Sequence, residues 1–345
     1  MKRLSVIGAI VTLALSAVSV AATPGTGASS AILAQGVFDP ISTSQTGGLE
    51  SVIQEVTIAP GGHTGWHTHP GGTVIIVESG TFSVYNNACA VTTIAAGRGI
   101  VEPGNQVQLA RNEGTVPLVL TVVYFDIASP DGPVRADAAT PACAADAGLQ
   151  DTFMGTGVTA AIVDRATFAS AATITGADER DVVVQSATFA PGGHSGWHSH
   201  PGATAIYVVS GTFSFYPAAT CQRQNFTAGQ GVVEQGGGVQ LARNEGTEPL
   251  VLFVVYFDVP TATPGAFRID QPEPSNCTGL AAVPTASPTP TLVPTAAPTA
   301  APTAATIPNT ATGRVDPSSG APLAAALIVL AAIGGLTALR LARRH

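Results

Sequence analysis

Apolar positions along this chain follow two patterns. Leu4 to Val20 and Ala321 to Leu339 are long, uncharged and predominantly apolar runs near the two ends. Between them, apolar residues come in short segments rich in Val, Ile, Thr, Phe and Tyr, parted at close intervals by Gly, Pro and Asn. Short β-branched and aromatic segments bounded by turn formers predict strands, and no interior stretch repeats its apolar positions at the helical period. The expectation is an all-β protein.

The interior pattern occurs twice. Aligned on itself, the chain repeats with an offset of 131 residues, or 132 beyond one inserted residue near Cys221. Val77-Glu-Ser-Gly80-Thr-Phe82 matches Val208-Val-Ser-Gly211-Thr-Phe213, and Gln108-Leu-Ala-Arg-Asn112-Glu-Gly114 returns as Gln240-Leu-Ala-Arg-Asn244-Glu-Gly246. Pro-Leu-Val-Leu-x-Val-Val-Tyr-Phe-Asp closes both copies, from Pro117 and Pro249. Six to eight short strands are expected per unit, most simply a sandwich or small barrel, placed at residues 35–145 and 155–278.

The ends read differently. Lys2 and Arg3, the apolar run and Val20-Ala21-Ala22 form a secretory signal over residues 1–22. Residues 279–320 are rich in Pro, Thr and Ala and cannot bury a core, so a disordered, extended stalk is expected there. Residues 321–339 are long enough for one C-terminal transmembrane helix, about 28 Å. Arg340, Arg343 and Arg344 in the tail 340–345 place it in the cytoplasm and the rest outside.

Charge narrows the partners. The whole chain carries −8, but the segment between the terminal runs holds nine arginines, no lysine and all 22 acidic residues, a net of −13. Such a surface excludes nucleic acid, whose phosphates need clustered cations. The four cysteines fit an oxidising, exported setting. Of their three possible pairings the repeat favours Cys89 with Cys143 and Cys221 with Cys277, one per unit.

Six of the seven histidines and both tryptophans fall in one phrase that occurs twice, Ala59-Pro-Gly-Gly-His63-Thr-Gly-Trp66-His67-Thr-His69 and Ala190-Pro-Gly-Gly-His194-Ser-Gly-Trp197-His198-Ser-His200. His-x-His on a strand puts both imidazoles on one face, roughly 6 to 7 Å apart and within reach of one cation. His67, His69, His198 and His200 are therefore the leading metal-ligand candidates; a metal-free polar barrel mouth is the alternative. His63 and His194 share their parity but lie about 13 Å away on a straight strand, so only a bend at Gly65 or Gly196 brings them in. Trp66 and Trp197 read as core or pocket wall, and Arg111 and Arg243 as partners of acidic neighbours.

The frame around the phrase resembles the cupins. Their first motif places Gly, His-x-His, Glu and Gly where this chain has Gly61, His67, His69, Thr73 and Gly80; the second matches Gly97, Pro103, Gln108 and Asn112. The other copy has Gly192, His198, His200, Thr204 and Gly211, then Gly229, Gly237, Gln240 and Asn244. The resemblance implies two tandem cupin-type β-barrels of the double-stranded β-helix, or jelly-roll, kind. It also implies one divalent metal ion per barrel, held by two histidines, a Glu and a further His. Here that Glu is Thr73 or Thr204 and that His is Gln108 or Gln240, both weaker donors. Glu102 and Glu234, just before the second motif in both copies, can supply a carboxylate from a neighbouring strand. Glu78, of opposite parity to Thr73, reads as a solvated residue.

Ile307-Pro308-Asn309-Thr310-Ala311, the apolar run and the arginines resemble a sortase-type sorting signal, with Ile and Ala in place of the usual Leu and Gly. Attachment is thus expected either to the cell wall through sortase or to the membrane through the C-terminal helix. The leading expectation is an exported, surface-anchored bicupin binding an unidentified small-molecule ligand and a divalent metal ion in each barrel. A metal-dependent dioxygenase or isomerase is the alternative, and a non-catalytic structural surface domain the second.

Overall fold

The computed structural model describes residue 22 and residues 24–149, 155–261 and 265–281. Apart from residues 22 and 279–281, the segments expected as signal, stalk, sorting motif, membrane helix and tail lie outside the described residues. Among the described residues no helix is long and apolar enough to cross a membrane.

The first repeat contains β1 (Thr26–Phe38), β2 (Ile41–Gln45), β3 (Leu49–His63), β4 (His67–Thr68), β5 (Thr73–Ser79) and β6 (Thr81–Asn86). It continues with β7 (Val91–Ala95), β8 (Gly99–Glu102), β9 (Gln108–Arg111), β10 (Leu118–Ile127) and β11 (Ala136–Asp137). The second repeats the series as β12 (Thr156–Phe168), β13 (Ala172–Gly176), β14 (Arg180–His194), β15 (His198–Ser199), β16 (Thr204–Ser210) and β17 (Thr212–Pro217). Then come β18 (Gln224–Thr227), β19 (Gln230–Glu234), β20 (Gln240–Asn244), β21 (Leu250–Pro260) and β22 (Ile269–Asp270). The expected six to eight strands per unit become eleven; two in each repeat are only two residues long, too short to leave a hydrophobic pattern.

Each barrel closes from two sheets. In the first, β3, β10, β5 and β8 pair in that order, while β11, β4, β9, β6 and β7 form the opposite wall. The second barrel repeats this with β14, β21, β16 and β19 facing β22, β15, β20, β17 and β18.

The first strand of each repeat crosses over. β1 pairs antiparallel with β14, Ser30 opposite Ala187, and β12 pairs with β3, Ala160 opposite Val56. Each barrel is thus completed by a strand of the other repeat, and β2 pairs with β13 between them.

Crossing places an apolar layer between the repeats and explains the continuous apolar runs. On β5, Ile75 and Val77 point into the first barrel, whereas Val74 and Ile76 point into a core shared with Val184, Tyr207, Val255 and Phe257 of the second repeat. Side chains alternate along a strand, so a strand buried on both faces has no polar positions to alternate with. Beside the shared core Tyr207 Oη and Ser51 Oγ are 2.6 Å apart, near Asp164, while the matching positions are Ile76, Val182 and, by strand pairing, Ala34.

The disulfides are Cys89–Cys143 and Cys221–Cys277, the pairing favoured by the repeat. Each ties the segment after its barrel over a fully buried tryptophan: Ala144 and Leu149 pack on Trp66, and Cys277 and Ala281 on Trp197. Glu78 is not simply solvated. It lies half-buried and accepts a hydrogen bond from Thr121 Oγ1 at 2.6 Å.

Candidate metal centre

The site grows out of β4, whose two residues start the His-x-His. His67 lies opposite Gln108 of β9 and Asp137 of β11, and His69 follows two residues on, so both rings enter the barrel from one wall. From the other wall, Thr73 of β5 sits in register with both Tyr124 of β10 and Glu102 of β8, so the three side chains form one inward row. The second barrel repeats the row with Thr204, Tyr256 and Glu234.

Hydrogen bonds fix the tautomers. His67 Nδ1 is 2.8 Å from the Gly65 carbonyl and His69 Nδ1 is 2.8 Å from that of Val134. His198 and His200 make the same contacts with Gly196 and Phe267, at 2.9 and 2.6 Å. A carbonyl only accepts, so Nδ1 carries the proton and each Nε2 keeps a free lone pair. The two Nε2 atoms of the first site lie 3.2 Å apart. Burial lowers the His67 pKa to about 3 and those of His69 and His200 to about 4, and takes His198 well below the ordinary value, so all four rings are neutral at physiological pH.

The carboxylate comes from Glu102. Its Oε2 is 3.7 Å from His69 Nε2, and Glu234 Oε2 is 3.5 Å from His200 Nε2. Burial raises Glu102 to about 7 and Glu234 to about 8, so without a cation Glu102 is about half protonated and Glu234 mostly protonated at neutral pH. Gln108 and Gln240 sit one contact further out, each donating through Nε2 to the glutamate oxygen. That contact holds the carboxylate in place. Thr73 Oγ1 and Thr204 Oγ1 are buried without a hydrogen-bond partner.

In kind, the donors suit a divalent cation. Two imidazole lone pairs face each other and an acidic oxygen stands beside them, an arrangement that repels itself until a cation or proton lies between. The backbone carbonyls behind the rings fix their orientation as outer-shell partners of metal-bound histidines do. Among the described residues, the only three His, Cys, Asp or Glu groups with ligating atoms all within 4.8 Å are the exposed Asp39, Asp178 and Glu179, so His67 and Glu102, both close to His69, stand wider apart than that and would have to draw together to share one ion.

His63 and His194 are not brought to this centre. Gly65 bends the chain with φ of 74° and Gly196 with φ of 72°, but each histidine uses Nδ1 to accept the amide N–H of that glycine. Their rings face Arg111 and Arg243, whose charge adds to burial in lowering the histidine pKa. Arg243 in turn lies 3.9 Å from Glu245. Asn112 is structural: its amide donates to the carbonyls of Ile58 and Val116 and its Oδ1 accepts from Gly114, closing the turn after β9.

Cavities open beside both histidine pairs. The first, about 90 Å³, is lined by His67, His69, Glu102, Tyr124 and Arg135; the second, about 370 Å³, by His198, His200, Glu234, Tyr256 and Arg268. The arginines are braced, Arg135 by Thr64 O and Asp137 and Arg268 by Ser195 O and Asp270. Sequence reasoning missed both. Their signal was the repeat itself, Arg135-Ala-Asp137 against Arg268-Ile-Asp270, hidden by further insertions that shift the offset.

Fold and site together define a tandem β-barrel protein with a paired-imidazole pocket in each barrel. The Cupin domain family model matches the chain twice, over residues 54–124 and 185–256, one match within each barrel. No curated protein matches. Among solved structures, oxalate decarboxylase from Bacillus subtilis at pH 4.6 is similar at 16% identity over 65% of this chain and 76% of that one, with a TM-score of 0.31. A structure of the same enzyme concerned with its Mn(II) centres is 14% identical over 70% of this chain and 80% of that one, with a TM-score of 0.32. Likeness at this level bears on neither substrate nor activity.

Proposed function

We propose that this chain is an exported, surface-tethered bicupin that binds a divalent cation in each barrel and a small molecule beside it. His67, His69 and Glu102 hold the first cation and His198, His200 and Glu234 the second, with Gln108 and Gln240 steadying the carboxylates. The observation that carries this reading is the fixed tautomer of all four histidines, which leaves every Nε2 lone pair free inside a barrel. Imidazole and carboxylate donors suit Mn²⁺, Fe²⁺ or Zn²⁺. Two disulfides support an oxidising compartment, and the apolar terminal runs support export and tethering.

The bound cation would act as a Lewis acid toward an oxygen donor of the ligand. Around it, Arg135 and Arg268 orient negative charge, Tyr124 and Tyr256 wall the pocket, and the buried apolar sheet faces exclude water. Three protein donors leave coordination positions open, so metal-dependent turnover is the second reading.

Glu102→Gln with Glu234→Gln tests the carboxylate directly. The double variant is expected to keep the fold and to bind Mn²⁺ at least tenfold more weakly by isothermal titration. Unchanged affinity would remove both glutamates from the metal site.

A further inference from the structure

The two cavities differ about fourfold, and part of the difference lies in their walls. The first barrel lines its cavity with Val56 of β3 and Val158 of the crossing β12; the second has Ala187 of β14 and Ala28 of the crossing β1 at the repeat-related positions. Each exchange of Val for Ala removes two methyl groups from the wall. At about 90 Å³ the first cavity has room for roughly three water molecules at ~30 Å³ each. The second, at about 370 Å³, falls within the range of roughly 300 to 1,000 Å³ typical of small-molecule sites.

The larger cavity also has a distinct chemistry. Phe267 replaces Val134 and lies against Tyr256 with ring centroids 4.8 Å apart and planes tilted by 31°, forming an aromatic wall next to His200. Arg268 spends Nε and Nη2 on Asp270 and the Ser195 carbonyl, which leaves Nη1 without a partner among the described residues. With a cation in place, its two charges and the arginine outweigh Glu234 and Asp270, so the cavity favours an anion.

We infer that the second barrel alone admits an organic ligand, a monoanion with an apolar body about the size of an aromatic ring, and that Ala28 of the first repeat sets this capacity together with Ala187. The anionic group lies toward Arg268 and the cation, and the apolar body lies against Tyr256 and Phe267. The first barrel binds its cation and water or an ion of few atoms. The inference rests on the metal reading for the cation's share of the charge, while the size selection is independent of it.

Benzoate is the test ligand, titrated calorimetrically into the full chain loaded with Mn²⁺, with metal content measured on the same samples. One benzoate per chain is expected. Ala28→Val with Ala187→Val should weaken it at least tenfold without changing metal content, and Val56→Ala with Val158→Ala should open a second site. The second pair of changes removes bulk, so it reads the same wall even where the first pair overpacks. Two equal sites in the parent chain, no binding, or affinity unmoved by Ala28→Val with Ala187→Val would each overturn the inference. Loss of metal with benzoate still selected by the wall would overturn the metal reading instead.

Discussion

At the scale of single residues, hydrogen bonds decide chemistry that residue type leaves open. A histidine in a barrel is a cation ligand only if its inward nitrogen lacks a proton, and here four backbone carbonyls settle that. The carboxylate follows the same logic of place: Thr73 and Glu102 are directly opposed, so the acid on β8 enters the barrel beside the threonine on β5. Asp164 is the clearest residue-level liability. Burial raises its carboxyl to about 6, and Oδ2 has no hydrogen-bond partner. A folded-state pKa above the unfolded one favours the protonated form, so its contribution is full below about pH 4 and is lost as pH rises through about 6. Asp164→Asn should therefore stabilise the protein at pH 7 by about 1 kcal/mol, after allowing for partial solvent screening, and by nothing near pH 3.5. Melting curves at the two pH values check this; an equal gain at both would show that ionisation is not the cause.

At the scale of elements, what could be read from sequence divides by burial. The repeat, the strands, the disulfide pairs and the histidine frame were all legible, because each leaves a pattern of residue types. The crossing of β1 and β12 was not: parity says which face of a strand is buried but not which barrel it joins, and the two strands are equivalent in the repeat. Glu102 was legible as a duplicated acid beside the second motif, whereas Arg135 lay outside every motif and across an offset change. The disulfides act at this scale too. Cys89–Cys143 closes a segment of 54 residues and clamps Ala144 and Leu149 over Trp66. Replacing both cysteines by serine should cost about 2 to 4 kcal/mol in denaturant unfolding and shift tryptophan emission to the red as Trp66 gains water. Unaltered emission would mean that packing alone holds the cover.

At the scale of the whole molecule, the two repeats are one structure sharing a core. Phe125 of one and Phe257 of the other lie 6.4 Å apart, and Arg165 on the crossing β12 pairs with Glu50 at 2.5 Å. A repeat on its own would expose that core and leave its first strand unpaired. Residues 155–281 expressed alone are expected to dimerise by exchanging β12, giving twice the monomer mass in light scattering. A stable monomer would show that β12 can fold back onto its own barrel.

The central claim is one cation per barrel, held by the paired histidines, and metal stoichiometry tests it most directly. Residues 24–281, purified without a histidine tag, loaded with Mn²⁺ and desalted, should carry two ions per chain by elemental mass spectrometry. One ion should remain in His67→Ala with His69→Ala, and none when His198→Ala and His200→Ala are added. A metal content that stays the same across these three proteins, or that is far below one ion per chain in the parent, would contradict it.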